Sequence, residues 1–408
     1  MSSTDRRGAA AHAQAAVLLG DRRIGTLHYQ GGRSWFRYED LDPDHPVLGL
    51  RFEDNPGYGG RRLTGVPVWF ANLLPERESG LRRLYNSRLG VRESHDFHLL
   101  IHVGEDLPGA VRVRPEGALP SDLSPQAAAA MGRPGKLSFS LSGMQLKFSM
   151  SEVGRDEGFV LPEAGEDGDW IVKLPSQVHR SLPANEYAVM TWASLAGMDV
   201  PEHRLVRAER LAGLPEEIVD PDEYVFAIRR FDRVYGGRVH QEDFAQILDA
   251  QPFHKDRGSQ ELVGGVLAAN CPPEDLDEYV RRLVFCVAAG NTDEHLKNWS
   301  VRYPDGRTPR LSPAYDLVGV TAYPAFRRDG LTLPLSGQAD TRRLRRDHFR
   351  RFAGDIGIDE DRAADIVAET VDRLHATWQQ VVAETPVPEF VTGHLEERLT
   401  SLPLLRGE

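Results

Sequence analysis

Apolar and polar side chains alternate along the first part of the chain, over residues 16–19, 23–29 and 34–38, which read as short strands parted by Gly20-Asp21 and Gly31-Gly32. The period then lengthens. Pro67 opens a helix carrying Trp69, Phe70, Leu73 and Leu74 on one face, and Leu81, Leu84, Tyr85 and Leu89 repeat that spacing until Gly90 stops it. Residues 104–111 read as a turn feeding a strand, and residues 115–135, rich in Pro, Ala, Ser and Gly, as a linker. Beyond it Leu146, Phe148 and Met150 alternate with polar neighbours, giving a half-buried strand after a tight turn at Ser142-Gly143. Residues 170–175 and 224–228 read as buried strands. Between them lies a helix N-capped by Asn185, with Val189, Trp192, Leu195 and Ala196 on its apolar side. The last section is helical. Leu276, Val280, Leu283, Val284 and Val287 form one stripe that ends at Gly290, and Val367, Val371, Leu374, Trp378 and Val381 form another. Both stripes read as core.

The helix ending at Gly290 delivers the stretch with the most chemistry, Asn291-Thr292-Asp293-Glu294-His295-Leu296-Lys297-Asn298. Asp293 and Asn298 have the spacing of a protein-kinase catalytic loop, in which an aspartate orients the acceptor hydroxyl and an asparagine holds a metal. Alone that spacing is weak, because acidic and amide residues crowd loops and cap helices. The chain then runs out through Trp299-Ser300-Val301-Arg302-Tyr303, turns at Pro304-Asp305-Gly306 and returns through Arg310-Leu311-Ser312, so Asp316 is expected beside Asp293 and Asn298. Two carboxylates and an amide oxygen suit magnesium, and the set reads as phosphoryl transfer. Lys173, inside a buried-looking strand, requires a carboxylate or phosphate partner or an exit to solvent. Glu186, early in the next helix, is a candidate for it; the bland alternative is an acid at a positive helix end. The Ser142-Gly143 turn can offer backbone N–H groups to phosphate, though plain hairpin geometry serves equally well and no Walker A pattern is present.

Composition narrows the setting. The chain of 408 residues has 40% hydrophobic and 27% charged residues, enough for two or three domains of ordinary soluble type. A net charge of −12 argues against coating nucleic acid unaided. Arg342, Arg343, Arg345, Arg346, Arg350 and Arg351 form the one dense basic cluster, read as solvated helix surface in preference to a patch for DNA or an acidic partner. Cys271 and Cys286 form no CxxC pair, so neither a disulfide scaffold nor a structural zinc is expected. His95, His98 and His102 read as helix-surface residues because no further ligand cluster lies near them in sequence. No signal peptide or bilayer-spanning run is seen, and a cytoplasmic protein without membrane attachment is expected.

The ensemble resembles the HipA family of serine/threonine kinase toxins of bacterial type II toxin–antitoxin systems. The likeness spans nearly the whole chain, through Asn72-Leu73-Leu74-Pro75-Glu76, residues 104–111 and 140–147, Lys173, Asn185-Glu186-Tyr187, Phe231-Asp232-Arg233, His240-Gln241-Glu242-Asp243-Phe244, residues 290–298 and residues 313–316. The resemblance implies an α+β protein: a β-rich N-terminal subdomain over residues 1–118, a linker over 119–135, a protein-kinase-like core over 136–238 and a mainly helical C-terminal subdomain over 239–408. It implies ATP and magnesium as cofactors, Asp293 as the catalytic aspartate, and Asn298 and Asp316 as metal ligands. ATP would be held by Lys173, by a phosphate loop of Ser142, Gly143, Met144, Gln145, Leu146 and Lys147, by His295 and Tyr315, and by Arg229, Arg230 and Phe231 at the adenine. Arg229 stands where the family often has glutamate, which bears on its side chain and leaves a backbone contact open. Ser140 matches an autophosphorylated serine, with Ser138 and Ser142 as neighbours; a phosphate there is expected to compete with the nucleotide and silence the kinase. Expected partners are a HipB-like helix-turn-helix antitoxin, operator DNA mainly through that antitoxin, and a protein substrate such as an aminoacyl-tRNA synthetase. Two other readings stand beside this one: a non-catalytic corepressor at the operator, and a small-molecule kinase on the same core.

Overall fold

The computed structural model describes residues 12–39, 42, 44–90, 92, 95–131, 145–154, 158–162, 167–214, 218–235 and 237–408. The first three strands are β1 (Ala13–Leu19), β2 (Arg22–Gln30) and β3 (Arg33–Tyr38). With β4 (Leu63–Thr64) and β5 (Val111–Glu116) they form a sheet in the order β4-β3-β2-β1-β5, with antiparallel neighbours. One face carries Ala13, Ala15, Val17, Leu27, Tyr29 and Phe36, all buried against short helices. The helix Gly80–Leu89 is N-capped by Ser79 and stops where Gly90 turns left-handed, as the glycine there predicts.

A second sheet follows, built from β6 (Lys147–Val153), β7 (Gly158–Val160), β8 (Trp170–Lys173), β9 (His203–Arg207), β10 (Leu211–Ala212) and β11 (Tyr224–Arg229). Its order is β10-β7-β6-β8-β11-β9. The stretch expected as a linker contains a helix, Pro125–Met131, seated through buried Ala127 and through Ser124, whose Oγ donates to the Leu89 carbonyl at 2.5 Å.

The short pair β12 (Arg233–Val234) and β13 (Gly237–Arg238) leads to a third sheet of β14 (His240–Asp243), β15 (Ser300–Tyr303) and β16 (Arg310–Leu311). Val301 faces Leu311, and the Ser312 N–H donates to Ser300 O at 2.9 Å, so the hairpin expected after the catalytic-type loop is present. The helices Pro273–Ala289, Glu360–Glu384 and Glu389–Ser401 close the C-terminal half, with Val367, Val371, Leu374, Trp378 and Val381 buried as the stripe predicts. The whole is α+β. No helix among the described residues is long and apolar enough to cross a membrane.

Two local expectations are corrected. Asn185 is no N-cap: Pro183 starts the helix Leu182–Leu195 a turn earlier, and buried Asn185 instead clasps Gly319, accepting from its N–H at 3.0 Å and donating to its carbonyl at 3.2 Å. Of the three histidines read as helix surface, His95 and His102 are half-buried and His98 is not on the surface. His98 is fully buried, and its Nε2 lies 3.1 Å from Asp122 Oδ1, while Tyr29 donates to the other carboxylate oxygen at 2.6 Å. The missing partner, Asp122, arrives from beyond the next strand, and potential ligand atoms of His95, His98 and Asp122 lie within 4.8 Å of one another.

Candidate active site

A cleft of about 840 Å³ opens between the second sheet and the helical half. The sequence-predicted residues Gln145, Lys147, Lys173, Glu186, Arg229, Arg230, Phe231, Asp293, His295, Asn298, Tyr315 and Asp316 all line it. Ser138, Ser140, Ser142, Gly143 and Met144 lie outside the described residues.

The roof is set by strand register. Lys147 on β6 stands opposite Lys173 on β8, and both are buried, so two ammonium groups sit side by side in a poorly solvated place. Such a pair demands anions. Lys173 Nζ donates to Glu186 Oε1 at 2.5 Å, which answers the question its strand raised, and also contacts Asp316 Oδ1. Burial works against the Lys173 charge, but Asp316 and Glu186 reverse the effect and hold the amine above its ordinary range. Burial likewise opposes the Asp316 carboxylate, and Lys173 with Lys147 overcomes it, leaving Asp316 well below the usual carboxylate range. Burial pushes Glu186 up to about 7, with Lys173 opposing only in part. For this tightly coupled group we take Asp316 as ionised and Lys173 as protonated, since they make the closest contact. Lys147 is lowered by burial, against the pull of Asp316. Gln145 donates to the Leu174 carbonyl, and Leu174 N–H to Leu146 O at 2.9 Å, which fastens the start of β6 beside the lysines.

The floor is the loop after the helix Pro273–Ala289. Gly290 turns left-handed at φ 63° and releases the chain into 291–298. Asn298 donates from Nδ2 to the Asp293 main-chain carbonyl at 2.9 Å, which fixes the loop and leaves the amide oxygen as its remaining acceptor. Asp293 is solvent-exposed, yet the surrounding walls strip enough water for desolvation to push its carboxyl up to about 6; nearby Lys255 opposes the rise. Burial drives His295 down to about 3, so its imidazole is neutral, and buried Nδ1 has no hydrogen-bond partner among the described residues. Asp316 has φ 59°, an uncommon conformation for a side chain other than glycine, and one that collects at functional sites. Preceding it, Tyr315 holds its hydroxyl 2.6 Å from Ser300 Oγ and donates to Lys297 O at 3.0 Å, while its ring lies 5.6 Å from Phe231.

The residues of the strand end divide. Phe231 lies against Tyr315 inside the cleft, the two rings tilted by 35°. Arg229 is exposed and pairs with Glu202 at 3.4 Å. Arg230 turns its guanidinium into the boundary with the N-terminal domain. There it donates to Asp106 at 2.8 Å, to Ser149 at 3.0 Å and to both oxygens of Asp232 at 3.0 and 2.9 Å. Its main-chain N–H is also committed, to Asp169 O.

Lys255 also lines this cleft, as does Glu76, which the sequence offers only as the end of the Asn72–Glu76 motif and with no site role; Lys297 is likewise buried, its Nζ donating to the Asn72 carbonyl at 2.8 Å. Each meets a partner 179 or more residues away by hydrogen-bond separation, which spacing along the chain cannot foresee: 179 for Lys255 with Glu76, and 225 for Lys297 with Asn72.

The donor set fits a magnesium nucleotide. The Asp316 carboxylate and the Asn298 amide offer hard oxygen donors, and Lys147 and Lys173 stand opposite each other across β6 and β8, where phosphate charge would find cations. The orphaned His295 Nδ1 is a polar atom awaiting a partner.

Two family models match the chain: the HipA N-terminal domain over residues 15–114 and the HipA-like C-terminal domain over residues 139–378. It is 39% identical over 400 residues to the protein named "Putative kinase Y4dM" of Sinorhizobium fredii, covering 96% of this chain and 97% of that one. It is 27% identical over 405 residues to the serine/threonine-protein kinase toxin HipA of Shewanella oneidensis, covering 90% of this chain and 88% of that one. In fold it is similar to a chain of the Shewanella oneidensis complex of HipA, HipB and operator DNA, with a TM-score of 0.69 at 21% identity over 96% of each chain.

Proposed function

Since the chain belongs to the HipA family, we propose that it is an ATP- and magnesium-dependent serine/threonine protein kinase and the toxin of a HipBA-like pair. The observation that carries the reading is the meeting, at one cleft, of an open aspartate, an asparagine five positions on, a returning aspartate and a strand lysine paired with a helix glutamate.

In this reading Lys173 and Lys147 take up the phosphates of ATP, and the Phe231–Tyr315 pair receives its base. Asn298 and Asp316 are the residues that would hold magnesium, which supplies neutralisation of phosphate charge when bound. Asp293 orients the acceptor hydroxyl and takes its proton. The hydroxyl oxygen bonds to the γ-phosphorus as the bridging P–O bond breaks, and ADP leaves. Neutral His295 adds no competing cation. Ser140 is assigned as the residue whose phosphorylation silences the enzyme.

A HipB-like helix-turn-helix antitoxin is the proposed partner and makes most of the contact with operator DNA, which suits a chain of net charge −12. A translation component such as an aminoacyl-tRNA synthetase is the proposed target. Labelled ATP with magnesium tests the core of this. Wild type incorporates label, Asp293→Ala loses it by at least about a hundredfold, and Ser140→Ala incorporates far less. Wild-type labelling no greater than that of Asp293→Ala removes the kinase reading.

A further inference from the structure

Among the described residues the N-terminal domain lends the reaction cleft Asn72, Leu73, Pro108 and one charged side chain, Glu76. Lys255 Nζ lies 2.8 Å from Glu76 Oε1, and both side chains line the cleft. Glu76 follows the buried segment Asn72-Leu73-Leu74 of the N-terminal domain. Lys255 follows the turn Pro252–His254, and its carbonyl accepts from Leu296 N–H at 3.0 Å. The Lys255 main chain is therefore fastened to the loop that carries Asp293.

As a clasp between domains this pair is superfluous. The boundary is already held by two buried bonds, Lys297 to Asn72 O at 2.8 Å and Gln246 to Trp69 O at 3.1 Å, and by a part-buried one, Leu50 N–H to Glu242 at 2.8 Å. The Lys255 and Glu76 side chains are 19% and 18% exposed, and partly hydrated pairs of this kind add little to stability. What the pair does supply is a cation at one end of the cleft. Lys147 and Lys173 cluster with Asp316, and Lys297 is committed to a carbonyl. Lys255 is the lysine whose charge acts most strongly on Asp293.

We propose that Lys255 is a catalytic residue that binds the phosphoryl group in transit beside Asp293, and that Glu76 of the N-terminal domain is the positioning residue that aims it. This rests on the kinase reading above. Phosphoryl transfer spreads charge over three equatorial oxygens, and a fixed cation on the acceptor side is the means by which such charge is met. The acceptor oxygen bonds to phosphorus, the bond to the ADP oxygen breaks, and the hydroxyl proton passes to Asp293. Lys255 keeps its proton throughout and contributes charge alone. The N-terminal domain then completes the site, and transfer depends on its seating.

The test uses the full chain with labelled MgATP, reading nucleotide affinity by equilibrium dialysis and transfer by initial rate. Lys255→Met is expected to cut transfer about a hundredfold or more while the affinity for MgATP stays within about threefold. Lys255→Arg, which keeps a cation, recovers transfer to within about tenfold of wild type. Glu76→Gln, which leaves the ammonium unaimed, costs about tenfold. The exchange Glu76→Lys with Lys255→Glu rebuilds the ion pair and keeps the wild-type melting temperature without restoring transfer. It also carries the test should Lys255→Met fold poorly. Transfer by Lys255→Met within threefold of wild type, or transfer restored by the exchange, overturns the inference alone. Absence of transfer by wild type, matching Asp293→Ala, overturns the kinase reading with it.

Discussion

Two buried ionic clusters, one at the domain boundary and one in the cleft, use the same kinds of side chain to opposite ends. At the boundary Arg230 has a partner for every guanidinium nitrogen, shared among Asp106, Asp232, Ser149 and the Leu107 carbonyl. Arg233 adds bonds to Asp106 at 2.7 Å and Asp232 at 2.8 Å, and Gly109 N–H donates to Asp232 at 2.7 Å. Burial would raise Asp232, but Arg230 and Arg233 hold it far below the carboxylate range. In the cleft, by contrast, two lysines face each other, one carboxylate is pushed towards neutrality, another sits at positive φ, and an imidazole nitrogen lacks a partner. Neither cluster satisfies every polar atom, since Asp106 Oδ2 and Arg233 Nε lack a hydrogen-bond partner among the described residues. What separates the two is charge: guanidinium is matched with carboxylate at the boundary, while the cleft keeps two facing lysines where a ligand anion fits.

The largest expected effect breaks that contrast on its stability side. Asp232→Asn leaves two buried guanidinium groups short of charge and is expected to cost about 3–5 kcal/mol in denaturant unfolding, the cost of removing one partner from a buried pair. Lys173→Met in the cleft leaves a glutamate already pushed up to about 7 and an aspartate open to solvent on its cleft side. It is expected to cost no more than about 1 kcal/mol while abolishing transfer, because the unpaired glutamate can take a proton. Equal destabilisation by the two substitutions would erase the distinction between the clusters.

What could be foreseen from sequence follows the same division. The strand, helix and hairpin that deliver Lys173, Asp293, Asn298 and Asp316 were legible because each rests on local periodicity and turn chemistry, and the hairpin alone implies that Asp316 comes back. The Lys173–Glu186 pair was legible because strand-then-helix order brings residues 13 apart together. Arg230 was not, because a strand ending in charge says nothing of which way its guanidinium turns; Asp106 and Leu107, from the other domain, draw it inward. Nor was the burial of His98, whose Asp122 comes from 24 residues on. Asn185 was misread because capping propensity is a local rule, and Gly319, 134 residues away, outcompeted it.

A third region refines the comparison, since it holds a buried carboxylate with ample hydrogen bonds and no cation. Glu242 accepts from Leu50 N–H at 2.8 Å, Trp69 Nε1 at 3.1 Å and the Tyr303 hydroxyl, and burial still pushes it up to about 7. Its folded value lies above the ordinary 4.5, so the folded protein holds this proton more tightly than the unfolded chain. The stability it contributes is therefore present at acid pH and lost as pH rises from about 4.5 to about 7. Glu242→Gln turns an amide donor toward one of three donors and is expected to cost about 1–3 kcal/mol. That penalty narrows across the same pH window and is constant above it. Denaturant titrations of both proteins at pH 5, 6, 7 and 8 check the trend, and a penalty independent of pH would mean that Glu242 stays ionised when buried.

The smallest effect is expected at the C-terminal arginines, which mark the solvated limit of the comparison. Arg342 pairs with Asp340 at 2.8 Å and Arg350 with Asp361 at 2.6 Å, yet the arginine side chains are 61% and 39% exposed and Asp361 is 86% exposed. Ion pairs in that setting are screened, and they lose in side-chain freedom most of what they gain in attraction. The geometry is as good as that around Arg230, with bonds of similar length, so distance cannot be what separates them; desolvation is. Arg342→Gln with Arg350→Gln is accordingly expected to leave the melting temperature unchanged within error at both 0.05 and 0.5 M salt, concentrations chosen to span roughly a threefold change in screening length. A clear drop that disappears at the higher salt would show that these arginines hold the fold by charge. The boundary cluster would then differ from the surface in degree only.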